Sequence, residues 1–66
     1  MQKFEIKMID EKKELDIKIE KLYRFMINSG YYKLPDLTRD QLVRQHIAMS
    51  QYSGILGERI NGFTSA

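Results

Sequence analysis

TRDQLVRQHIAMSQYSGILGERI, residues 38–60, carries the strongest helix signals in the chain. Thr38 followed by Gln41 fits a capping box, in which the hydroxyl meets an early backbone N–H and the Gln side chain reaches back. Asp40 puts a negative charge in the first turn, where the helix dipole favours it. Leu42, Met49, Leu56 and Ile60, with Phe63 just beyond, recur at helical spacing. Tyr52 lies beside this stripe, Gln45 falls within it and His46 flanks it. Asn61-Gly62 reads as a left-handed stop. Val43 and Ile47 form a second apolar group on the opposite side of the helix, with Gly54 further along. A helix buried on one side only has no use for that second group.

The preceding segment reads the same way. Residues 2–28 contain no Gly or Pro and are mostly good helix formers. Phe4, Met8, Leu15, Ile19, Leu22 and Met26 share one narrow face, and steps of seven make it close to a heptad seam. Lys12 occupies the seam position between Met8 and Leu15. The other side is a solvated charged face, where Glu14–Lys18 and Glu20–Arg24 are favourable pairs four residues apart. Ile6 and Ile17 stand away from the seam, three turns apart. Ser29-Gly30 ends the helix, and Pro35 disfavours helix immediately before it. Leu37 sits where a hydrophobic staple onto Leu42 would form.

The expected fold is therefore all-α, an antiparallel two-helix hairpin in one domain spanning 1–66. Its helices are expected at about 2–29 and 38–60, joined by a connector at 30–37 and followed by a short tail that frays over 64–66. A chain of 66 residues buries only about 60% of its unfolded surface, so its core is marginal alone. Cysteine is absent, which removes both disulfides and zinc held by thiolates as remedies. Assembly into a homo-oligomeric helical bundle is the remaining route, and Ile6, Ile17, Val43, Ile47 and Gly54 are its expected interface.

Little points to catalysis. His46 is the single histidine, and Asp40 and Glu58 lie too far along the helix to pair with it. Asp10, Glu11, Glu14 and Asp16 are interleaved with Lys12, Lys13 and Lys18, so each carboxylate has a cation nearby and no metal is expected. Met8, Met26 and Met49 lie on apolar stripes and read as core. No catalytic residue and no cofactor is assigned. A net charge of +2, spread among carboxylates, argues against nucleic acid. The chain lacks an eighteen-residue apolar run and a signal-peptide core, so a cytoplasmic protein with no membrane partner is expected.

One constellation stands above background. Arg24, Tyr31, Tyr32, Lys33, Arg39 and Arg44 gather near the bend, with His46 a turn further on. Arginine forks suit phosphate and tyrosines stack on bases, so this is the candidate ligand-binding group. The plainer alternative is that the tyrosines close the end of the core while the cations stay in water.

Residues 10–22 (DEKKELDIKIEKL), Leu34-Pro35, Gln45, Met49, 52–56 (YSGIL) and 58–60 (ERI) resemble short proteins encoded by bacteriophages and prophages. More remotely, the hairpin is similar to phage counter-defence sponges that sequester nucleotide signals of CBASS and Thoeris immunity. No binding motif of theirs is matched residue by residue. The resemblance implies a small, oligomeric, non-enzymatic protein in the cytoplasm of an infected or lysogenic bacterium. It would hold a cyclic nucleotide or cyclic ADP-ribose-like ligand between copies of itself. A helical module that binds a host or phage protein is the alternative, and an enzyme the least supported.

Overall fold

The computed structural model describes residues 1–64, which form two long helices and no strand. Helix α1 runs Lys3–Met26 and helix α2 runs Asp36–Thr64, with a single 3-10 turn at Tyr31–Lys33 between them. Contacts between distant residues, such as Lys12 with Ser53 and Tyr23 with His46, set the helices antiparallel. The fold is the expected hairpin.

The inward faces follow one rule on both helices. On α1 the positions turned from solvent include Glu5, Met8, Lys12, Leu15, Ile19, Leu22 and Met26, spaced alternately three and four residues apart. On α2 they include Arg39, Leu42, His46, Met49, Ser53, Leu56, Ile60 and Phe63, with the same alternation. That spacing is the heptad seam of a coiled coil, so the hairpin is a two-stranded coiled coil closed by a bend. Three of these eight α2 positions, Arg39, His46 and Ser53, are polar. Gln45, expected in the stripe, is exposed, and His46 takes the inward position.

Several ends differ from expectation. Helix α1 starts with Glu5 Oε1 accepting from the Gln2 backbone N–H at 2.7 Å, and it stops at Met26, before Ser29. Helix α2 begins two residues before Thr38: the Arg39 N–H already donates to the Pro35 carbonyl at 3.0 Å. Proline suits a helix start because its φ is preset and it has no N–H to satisfy, and Asp36 supplies the first-turn charge. Thr38 is consequently inside the first turn and does not cap it. Asn61-Gly62 does not stop the helix, and no glycine has positive φ. Phe63 lies within the helix on a seam position and is partly buried, so packing outweighs glycine's cost of about 1 kcal/mol in a helix. Thr64, expected to fray, is helical and its hydroxyl donates to the Ile60 carbonyl at 2.8 Å. Ser65 and Ala66 lie outside the described residues.

The hairpin is long and thin, 47 × 16 × 14 Å, with a radius of gyration of 15.0 Å against about 11 Å for a compact chain of this length. Its accessible surface is 5161 Å², where a compact protein of 7.8 kDa exposes about 4,400 Å². Of the described apolar residues only Met8, Tyr31 and Leu56 are buried, and only Leu56 completely. Two helices side by side leave most of each cylinder wet.

Candidate functional site: the bend and the polar seam

Tyr31 organises the bend. Its ring is buried edge-on to Phe25, with centroids 6.4 Å apart, and to Tyr32 at 5.3 Å. Its hydroxyl donates to the Arg39 carbonyl at 3.3 Å, fastening the 3-10 turn to the first turns of α2. Upstream, the Gly30 N–H donates to Asn28 Oδ1 at 3.0 Å and the Tyr31 N–H to the Asn28 carbonyl at 3.1 Å. Tyr31 is thus held as a wedge, whereas Tyr32 is 67% exposed and free to meet a flat ligand.

The cations are not gathered on one chain. Arg24 is bound to Glu20 at 2.9 Å, Arg44 to Asp40 at 2.9 Å and Arg39 to Asp36, each within its own helix. Arg24 and Arg44 are mostly exposed, and Lys33 is exposed in the 3-10 turn. Arg39 alone is tied to the tyrosine cluster, and its Nε is buried with no hydrogen-bond partner among the described residues. An unsatisfied buried donor costs about 1–3 kcal/mol, so a shift of this side chain that brought Nε a partner would recover that cost. The described residues enclose no pocket. Tyr31, Tyr32 and Arg39 are brought together; Arg24, Lys33 and Arg44 form no common cradle with them in one protomer.

A second polar group lies halfway along the hairpin, in the seam itself. The Lys12 ammonium donates to Asp16 Oδ2 at 2.8 Å and across the interface to Ser53 Oγ at 3.1 Å, while the Ser53 hydroxyl donates to Asp16 Oδ1. Beside it the Tyr52 hydroxyl donates to Glu11, which holds the phenol above its ordinary pKa, with burial adding to the effect. Gly57 makes room for the lysine stem, since a Cβ there would stand 3.3 Å from Lys12 Cε. Sequence reading placed Lys12 in the seam but did not find its partners. The signal was present: Ser53 falls on the same heptad phase of α2 as Ile60.

The hydrogen bond from Lys12, then that from Ser53, holds the Asp16 carboxyl below its ordinary value of 3.8. A carboxylate whose pKa is depressed by folding stabilises the folded state above its ordinary pKa, and that contribution is lost as the pH falls through the folded value. Helix content should therefore begin to fall in mild acid, below about pH 4, and Asp16→Asn should flatten that limb of a circular-dichroism titration. An unchanged acid limb in the variant would remove Asp16 from the explanation.

Among the described residues no group of acidic or histidine side chains could hold a metal ion, and no helix is long and apolar enough to cross a membrane. The fold and its polar seam define a small coiled-coil hairpin whose bend presents aromatic and cationic groups. The chain belongs to the Sequestin family, whose model matches residues 2–62. That match bears out the resemblance to sequestering phage proteins, and the family name points to a protein that binds and holds. No curated protein and no solved structure matches the chain.

Proposed function

We propose that this protein is a non-enzymatic phage-type counter-defence sponge, which binds a small nucleotide-like signal between protomers of a homo-oligomer in the bacterial cytoplasm. The observation that carries the reading is the family match over nearly the whole chain. The bend supplies the chemistry: the Arg39 backbone is fastened to Tyr31, its guanidinium is held by Asp36 with Nε unpartnered among the described residues, and Tyr32 stands exposed in the adjoining turn. Arg24, Lys33 and Arg44 join them only when a second chain brings its own set. The carboxylates now holding the arginines are no obstacle. Exposed pairs within a helix contribute about 0.3–0.5 kcal/mol, whereas charge-assisted hydrogen bonds to phosphate contribute about 1.5–3 kcal/mol each. Calorimetry against cyclic di- and trinucleotides and cyclic ADP-ribose isomers is the test. Binding to one of them supports the sponge; silence across the panel at high micromolar ligand rejects it.

Self-association rests on the surface. The hairpin exposes about 800 Å² more than a compact monomer, which is what a standard interface buries on each partner. Ile6, Ile17 and Ile47 are about half exposed, Val43 is partly so, and a Cβ at Gly54 would meet nothing within 4 Å of its own chain. Gly54 in a helix costs about 1 kcal/mol relative to Ala, which close approach of a neighbouring helix would explain. Ile47→Asp and Gly54→Leu should each shift sedimentation toward smaller species while helicity persists. If Gly54→Leu leaves the assembly intact, no neighbour packs there. The same exposed isoleucines suit the alternative, a module that docks on a host or phage protein. In that case the chain stays monomeric or dimeric until the partner is added.

A further inference from the structure

We infer that the Lys12–Asp16–Ser53 cluster sets the register in which α1 pairs with α2. The apolar part of the seam cannot do this alone, because it repeats. Met8, Leu15 and Leu22 on α1 are seven apart, as are Leu42, Met49, Leu56 and Phe63 on α2. Sliding one helix past the other by a heptad, about 10 Å, brings apolar layers back onto apolar layers. Residues 27–35 are long enough to follow such a slide, since nine extended residues reach about 30 Å.

The polar cluster has no such repeat. In the observed register the Lys12 ammonium meets Ser53 across the interface while Asp16 accepts from both. A heptad away on α2, Lys12 would face His46 or Ile60, neither of which offers a hydroxyl between it and Asp16. In either slipped state Lys12 keeps Asp16, which travels on its own helix, but both lose the Ser53 hydroxyl that joins them across the interface, and that loss disfavours the slip. Gly57 fits the same account, since it leaves space for the lysine stem at this register. Stability is a poor explanation for Lys12, because an aliphatic residue in a seam normally serves stability better; a single polar seam position is a known means of fixing register. Tyr31 fastens the bend, but through a bond to a residue eight positions away, so it shapes the turn without measuring the far half of the hairpin. The inference stands on this geometry and is independent of any ligand.

Spin labels on exposed Lys7 and Gln41, which lie at different heights along the hairpin, report the register as a distance. Labelled chains are diluted with unlabelled ones so that only intrachain distances are read. The native chain should give one distance. Lys12→Met combined with Ser53→Ala should add a second population, displaced by about 10 Å. A transposed variant, Lys12→Ile, Asp16→Tyr, Ile19→Lys and Tyr23→Asp, rebuilds the cluster one heptad along α1. Its main distance should lengthen by about 10 Å as the rebuilt cluster finds Ser53. If the first variant keeps one native distance at native helicity, the inference is overturned. If the first variant loses its helix, the transposed variant decides: a main distance still at the native value overturns the inference, and the lengthened one upholds it.

Discussion

Leu56→Ala should unfold this hairpin, or leave it helical only at high protein concentration. Among the described residues Leu56 is the single large side chain with no exposed surface, and it stands at an inward position of α2 three residues beyond Ser53. Truncating a buried leucine costs about 2–5 kcal/mol, from the lost burial and from the cavity left behind. With three buried apolar residues among those described, the hairpin has little to set against such a loss. Thermal melts followed by circular dichroism should show a large drop in midpoint for Leu56→Ala and a small one for Ile55→Ala, whose side chain is exposed. Equal effects at both positions would mean that Ile55 is covered in the assembly. A negligible effect at Leu56 would mean that the seam is not the core.

Replacement of Arg39 should weaken ligand binding more than replacement of any other cation. Its Nε has no partner among the described residues, and its backbone carbonyl is already fixed by Tyr31. Loss of one charge-assisted hydrogen bond to phosphate, about 1.5–3 kcal/mol, corresponds to a fall in affinity of about tenfold to a hundredfold. Arg39→Lys keeps the charge and removes the fork, so it should recover only part of the affinity. Arg24→Ala and Arg44→Ala should have smaller effects, because both side chains are mostly in water. Tyr32→Ala should also weaken binding if a base stacks on the exposed ring. Binding that survives Arg39→Ala unchanged would leave sequestration standing and move the site elsewhere.

The two helices were legible because the apolar residues of α1 repeat with few interruptions. The coiled-coil character of α2 was not, since Arg39, His46 and Ser53 occupy positions where a seam is expected to be apolar. These residues interrupt the apolar repeat of α2, and a partner that would mark one of them as inward lies up to 41 residues away. The ends of α2 misled for a related reason. Thr38 and Asn61-Gly62 carry good local signals, yet Pro35 starts the helix earlier and the partly buried Phe63 carries it past the glycine. At the bend, the sequence places tyrosines and cations close together without showing their separate tasks. Tyr31 is a wedge, Tyr32 is open, and each arginine has a carboxylate three or four residues before it.

Native mass spectrometry of the protein mixed with the nucleotide panel weighs assembly and ligand in one measurement. The account predicts a multiple of the chain mass carrying one of the cyclic nucleotides, with fewer ligands than chains, since each ligand is shared between protomers. Dilution that dissociates the multimer should release the ligand in step. A monomer that stays free of every nucleotide on the panel would contradict the account.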